Sequence, residues 1–382
     1  MTDFSFEQGP IRPPSEAGSL LIRFTRNCPW NKCAFCPVYK GRDFSRRSLD
    51  EIKTDIEAIR NIHLELAALS RQLGYQGVVN REVFNRVLSD PDRGEPFKRV
   101  AAWFARGQGT VFIQDANSLI MRTSDLIEAL RAVRERIPGV SRITIYGRSN
   151  TVARKGLDEL KALHEAGLDR VHVGMESGSD RVLKLMRKGS TAEQHIQAGQ
   201  AIVQAGMTLS EYIMPGLGGR DLSDEHALET ARVLNCINPH FIRLRSLHIL
   251  PATPLAEMAA RGEFTPLDDE SMVREIRLLI AHLESIQSTL TSDHIMNLLE
   301  EVSGTLPQDK EAMLATIDHF LNMSRDERLL FRLGRRGGGL RSPYDLSDPG
   351  IKSRLERARA ELERQEGRDL EGILSDMTLQ SL

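Results

Sequence analysis

The chain has 382 residues, with 51 basic against 53 acidic side chains, 40% hydrophobic and 27% charged content, and a formal charge of −2. That length can bury a sizeable core, and one large α/β domain with an appendage suits it better than two equal domains. The near balance of charge excludes a global field drawing the protein to nucleic acid, though a local basic patch stays open. No run of about eighteen apolar residues could span a bilayer, and the start, Met1-Thr-Asp-Phe-Ser-Phe-Glu, lacks the regions of a signal peptide. A cytoplasmic location with reduced thiols is therefore expected.

Residues 1–18, with Pro10, Pro13 and Pro14, read as an extended lead-in. The run Ser19-Leu-Leu-Ile-Arg-Phe-Thr-Arg26 alternates well enough for a first buried strand, and it delivers a cysteine-rich loop. Ser48 then caps a long helix that starts at Leu49 and runs to about Leu73, with acidic residues in its first turn. Residues 74–109 look like an insertion. Strand-like runs follow at Thr110 to Gln114, Arg142 to Gly147, Arg170 to Met175, Leu209 to Met214 and Phe241 to Leu247, separated by amphipathic stretches. Six strands with helical crossovers imply a right-handed parallel sheet, open or closed into a barrel.

Beyond residue 250 the pattern turns helical, giving an accessory region over 251–345 and a charged tail over 346–382 with one narrow apolar stripe. The run Arg332-Leu-Gly-Arg335-Arg336-Gly-Gly-Gly-Leu-Arg341 reads as a flexible solvated linker in preference to a polyanion grip.

Three of the four cysteines, Cys28, Cys33 and Cys36, fall within nine residues. Three thiolates so close can converge on one metal centre, and as ligands of a [4Fe–4S] cubane they leave one iron open to a non-protein ligand. Structural zinc and a disulfide framework are the rivals. Zinc wants four ligands in two pairs, and no second pair is present. Disulfides want an oxidising compartment. Cys236, two hundred positions away, reads as a small buried hydrophobe on a helix.

The spacing Cys-x4-Cys-x2-Cys, with Phe35 just before the last cysteine, resembles the cluster loop of the radical S-adenosylmethionine (radical SAM) enzymes. Their commonest spacing is one residue shorter. The resemblance implies an α/β fold with a partial (βα)6 TIM-type barrel, here 19–250 with the insertion about 74–109, carrying its groups at the C-terminal strand ends. It also implies a [4Fe–4S] cluster on Cys28, Cys33 and Cys36 with S-adenosylmethionine on the open iron. A reductant such as flavodoxin or ferredoxin would serve as partner.

A second motif, Val173-Gly-Met-Glu176-Ser-Gly-Ser179 running on to Lys188, looks like the fourth-strand segment of the methylthiotransferase and oxygen-independent coproporphyrinogen oxidase-like branch. By that likeness Glu176, with Ser177 beside it, binds the ribose hydroxyls, and Lys188 neutralises the S-adenosylmethionine carboxylate, with Arg187 as the alternative. Where relatives carry a Gly-Gly-Glu sequence, this chain offers Asp115 and Asn117, which otherwise end a strand and start a turn. Ser149 is a ribose contact or a helix cap.

Arg243 points toward the same mouth if register holds. In the accessory region Thr291-Ser292-Asp293-His294-Ile-Met-Asn297 sets His294 as a candidate substrate-side residue, against a capping or surface role. The implied reaction is reductive cleavage of S-adenosylmethionine to a 5′-deoxyadenosyl radical that abstracts hydrogen from a substrate. A small molecule, lipid or tetrapyrrole-like substrate is favoured. An RNA modifier is the runner-up, and a non-catalytic iron–sulfur electron-transfer or sensor protein the rival class.

Overall fold

A computed structural model describes residues 4–374. In chain order the elements are β1 (Leu20–Arg23), β2 (Thr25–Arg26), β3 (Ser45–Arg46), α1 (Leu49–Gln72), α2 (Arg81–Leu88), α3 (Glu95–Arg106), β4 (Thr110–Gln114), α4 (Thr123–Arg136), β5 (Arg142–Gly147), α5 (Ser149–Glu165), β6 (Arg170–Glu176), α6 (Asp180–Leu185) and α7 (Ala192–Gln204). There follow β7 (Thr208–Ile213), α8 (Ser223–Ile237), β8 (Phe241–Leu244), α9 (Pro254–Ala260), α10 (Asp269–Ala281), β9 (Thr289–Thr291), β10 (Gly304–Thr305), α11 (Lys310–Asn322), α12 (Arg325–Arg336) and α13 (Pro349–Glu366). Two compact units result: the first runs to Gly174 and adds Arg187–Glu211, and the second comprises Met175–Met186 and the chain from Tyr212.

In the first unit β1, β4, β5 and β6 lie side by side and parallel, with Leu20 opposite Val111, Thr110 opposite Arg142 and Thr144 opposite Arg170. Their interiors, such as Val111-Phe-Ile113 and Ile143-Thr-Ile145, are wholly buried, as parallel strands covered on both faces must be. The helix α1 begins with a reciprocal cap between Ser48 and Glu51. Its Ile52, Ile56, Ile59, Ile62 and Leu66 recur at helical spacing and are fully buried. The lead-in is fastened to the sheet through Glu16, a buried carboxylate within 3.2 Å of His172 Nε2 and 3.1 Å of Arg142. Burial would raise its pKa, but hydrogen bonds from His172 and Ser19 and the Arg142 charge bring it below the ordinary value.

In the second unit β8 pairs with β9 in parallel, Phe241 opposite Thr289, and β10 closes antiparallel on β9. These two short strands lie within the helical region past residue 250 and left no mark in the sequence, because two or three residues are too few for a period to register. The solvated-linker reading also fails where Arg332, Arg335 and Arg336 are concerned. They lie on α12 with side chains only 6–7% exposed, paired with Asp269, Glu371, Glu300 and Glu301. Leu329 and Leu333 of the same helix pack with Leu370 and Leu374. Cys236 is exposed, contrary to the buried reading. Helix α8 buries Ala227, Ala231 and Leu234, and a residue two past Leu234 is rotated roughly 200° from that stripe. The expected mostly parallel α/β arrangement and helical C-terminal region are otherwise both present.

Candidate functional site

The cysteine loop leaves β2 through Asn27 and turns at Asn31, both with positive φ (66° and 46°), which asparagine tolerates better than most residues. Its cysteines are all half-buried, and the Asn31 amide donates to Cys28 Sγ at 3.4 Å. Asp115, fully buried just past β4, holds the loop from both ends. One carboxylate oxygen accepts from Arg23 Nε at 2.6 Å and from the Asn27 amide at 2.8 Å, and the other from the Tyr39 hydroxyl at 2.8 Å. Lys40 Nζ donates to the carbonyls of Asn31 and Cys33 at 2.9 and 3.1 Å. Nine residues with no regular structure are thereby tied down at entry, centre and exit.

The segment 187–189 packs on the same loop. Trp30 Nε1 donates to the Arg187 carbonyl at 2.7 Å, Arg148 Nη2 to the Lys188 carbonyl at 2.5 Å, and Asn150 Nδ2 to the Gly189 carbonyl at 3.1 Å. The Arg148 guanidinium lies 4.9 Å from the Trp30 ring centroid. Gly189 has φ 71°, and a Cβ there would come within 2.3 Å of the Trp30 ring. Lys188 Nζ stands 5.9 Å from the Phe35 ring centroid. Burial pushes the Arg148 pKa down, and the charges of Cys33 and Cys28 oppose it. Arg148 and Trp30 went unnoticed in the sequence, although a tryptophan inside a cysteine loop is itself a signal.

Asn117 and Ser149 turn inward. Asn117 accepts from the Arg148 amide at 3.1 Å and donates to Thr151 at 2.8 Å, holding the start of α5. Ser149 does not cap that helix. Its hydroxyl lies 2.6 Å from His195 Nδ1, and burial pushes the His195 pKa down to about 3.

The remaining candidates belong to the second unit. Glu176 ends β6 at φ 66°, its carbonyl accepting from the Met214 amide at 3.0 Å. Ser177 is fully buried, 2.8 Å from His226 Nδ1. The Gly178 amide donates to Thr230 at 2.9 Å, so this motif is wedged against α8. Arg243 is buried with Nη1 3.3 Å from Thr291 and 3.5 Å from Asp293. The 291–297 cluster begins on the last residue of β9. Asn297 accepts from the Ser246 amide at 3.0 Å and donates to the Leu244 carbonyl and Ser292, both at 2.9 Å. Burial, then the Arg245 charge, push the His294 pKa down to about 4, so its ring is neutral near pH 7.

Residues 86–231 match the radical SAM superfamily model, a span from α2 into α8 that includes the Glu176 motif and lies downstream of the cysteines. Over that span the chain is similar to radical SAM proteins. Over 94 residues it is 28% identical to a tRNA uridine(34) acetyltransferase of Methanocaldococcus infernus, covering 24% of this chain and 18% of that protein. The chain thus matches about a fifth of that relative's length. Among solved structures, the cobalamin-dependent S-adenosylmethionine radical enzyme OxsB superposes with a TM-score of 0.46 at 14% identity, covering 95% of this chain and 59% of that one. Coproporphyrinogen III oxidase (HemN) from Escherichia coli, a radical SAM enzyme, gives 0.45 at 14%, covering 69% and 52%.

Radical SAM domains work with a [4Fe–4S] cluster and S-adenosylmethionine, and the donor set here fits a cubane: three half-buried cysteines, a backbone amide on one sulfur, and the Arg148 guanidinium stacked on Trp30 of the same loop. Among the described residues no three His, Cys, Asp or Glu side chains close on a single ion. A cubane needs no such convergence, because each sulfur ligates a different iron. Among those residues no helix is long and apolar enough to cross a membrane.

Proposed function

We propose that the chain is a radical SAM enzyme in which Cys28, Cys33 and Cys36 hold the cluster. When bound, the cluster and S-adenosylmethionine supply reductive cleavage to a 5′-deoxyadenosyl radical and hydrogen-atom abstraction from substrate. The observation that carries this reading is the cysteine loop fastened on both flanks to Asp115. Asp115 and Lys40 fix the loop backbone, so the three sulfurs are presented by a scaffold that is already ordered. Arg148 and Lys188 set two positive charges against the loop, which offset the negative charge of a thiolate-bound cluster and of a bound carboxylate. Glu176 presents a carboxylate suited to two vicinal hydroxyl donors. A reductant such as flavodoxin or ferredoxin, and a reducing cytoplasmic setting, complete the reading.

The deciding test is anaerobic reconstitution with iron and sulfide, followed by reduction with dithionite. We expect about four irons per chain, a change in the paramagnetic signal when S-adenosylmethionine is added, and 5′-deoxyadenosine among the products. An unchanged signal together with no 5′-deoxyadenosine defeats the reading.

A small-molecule, lipid or tetrapyrrole-like substrate is favoured by the balanced charge. The similarity to tRNA uridine(34) acetyltransferases supports an RNA substrate as the second reading. RNA retained on purification and released steeply with salt would favour the latter.

A further inference from the structure

The second unit contains a cavity of about 330 Å³, at the lower end of the roughly 300–1,000 Å³ typical of small-molecule sites. Its walls are largely aliphatic, with Leu247 and Ile249 beyond β8, Val273 and Ile276 from α10, and Leu299 and Val302 from the loop before β10. Two polar groups among the lining residues are left with an unmade bond, the Ser246 hydroxyl, which can donate or accept, and the Arg336 Nε–H, which can only donate. The Arg336 side chain is 6% exposed; its Nη2 bonds Asp269 at 3.0 Å and the Met296 carbonyl at 3.3 Å, but its Nε is buried without a hydrogen-bond partner. A buried N–H in that condition is costly, and an acceptor brought to it is rewarded.

The charges around Arg336 decide what kind of acceptor fits. Arg332 is matched by Asp269 and Glu371, each at 2.8 Å, and Asp269 also faces Arg336. Asp268, also on the lining, caps α10 by accepting from the Ser271 amide at 2.7 Å. His248 adds no positive charge, since burial and then the Arg336 guanidinium lower its pKa. Two guanidiniums thus stand among three carboxylates. An anionic ligand would bring surplus negative charge into an apolar cavity, whereas a carbonyl or ether oxygen would satisfy Nε at no electrostatic cost.

We infer that this cavity binds a small, largely apolar molecule bearing one uncharged hydrogen-bond acceptor, which the Arg336 Nε–H recognises. The inference stands on residues of the second unit alone and does not rest on the cluster reading.

The test is a ligand-observed NMR titration of the full, cluster-loaded chain with 2-nonanone and, in parallel, with nonanoate. Saturable ketone binding is expected, with nonanoate at least about tenfold weaker. Arg336→Lys keeps a positive charge opposite Asp269 but lacks Nε, and should weaken the ketone about tenfold. Val302→Phe fills the cavity and should abolish binding. No saturable ketone binding to the unaltered chain, nonanoate as tight as the ketone, or full ketone affinity in Arg336→Lys would each overturn the inference. If Val302→Phe proves unfolded by thermal denaturation, Arg336→Lys decides.

Discussion

The Tyr39 hydroxyl donates to Asp115 at 2.8 Å, joining residues 76 positions apart. The other oxygen of the same carboxylate takes the Asn27 amide, so the chain entering the cysteine loop and the chain leaving it share one side chain. Asp115→Ala strips three donors of their acceptor and leaves the Arg23 guanidinium with Glu7 as its remaining carboxylate. We expect a loss of about 3 kcal/mol, read by urea denaturation, together with poor retention of iron. A loss under about 1 kcal/mol would mean that the loop is held some other way.

Gly189→Ala should cost about 3 kcal/mol, part from the left-handed backbone and part from the Trp30 ring in the way of the new Cβ. The two parts separate in a double-mutant cycle. Against a Trp30→Ala background the penalty should fall to about 1 kcal/mol, the backbone share. Equal penalties in both backgrounds would show that the ring is not the obstacle.

Glu275 accepts from the Gly216 amide and the Ser223 hydroxyl, each at 2.6 Å, and burial pushes its pKa up to about 7 from an ordinary 4.5. The folded state therefore holds the proton more tightly, so Glu275 supports stability below pH 4.5 and that support is lost as pH rises through 7. His226, 3.6 Å away, has the opposite sign: burial pushes its pKa from 6.5 down to about 4, so its contribution is present above 6.5 and lost as pH falls. Between pH 4.5 and 6.5 the two slopes nearly cancel. Glu275→Gln removes one of them, and its stability relative to the unaltered chain should improve by about 3 kcal/mol between pH 4.5 and 8. Urea melts at the two pH values check this; a pH-independent difference would show that Glu275 does not titrate as described.

Cys33→Ala should abolish the visible absorbance of the reconstituted protein. Cys236→Ala, at an exposed site on α8, should keep about four irons per chain. Loss of iron from the Cys236 variant, or full retention by the Cys33 variant, would reassign the ligands.

Glu176→Ala should weaken S-adenosylmethionine binding by about tenfold while iron stays near normal. Calorimetry on the reconstituted protein reads the affinity, and an unchanged value would remove the ribose role from Glu176.

Strong local signals were the legible ones. The strands at Thr110–Gln114 and Arg142–Gly147 have the limits their apolar runs suggested, and α1 starts at the reciprocal cap written in Ser48 and Glu51. The loss came where meaning depends on distant partners. Asp115 reads as a cofactor contact or a turn residue until Asn27 and Tyr39 arrive beside it, and the arginines of α12 look solvated until Asp269, Glu300 and Glu371 cover them. Strand β9 exists because β8 offers a ladder, with no sequence period of its own to announce it.

The grip on residues 187–189 includes three peptide oxygens in succession. Substitution at 187 or 188 can thus retune charge beside the sulfurs while the main chain stays anchored. The glycine that follows has almost no room for change, because any Cβ there meets the Trp30 ring.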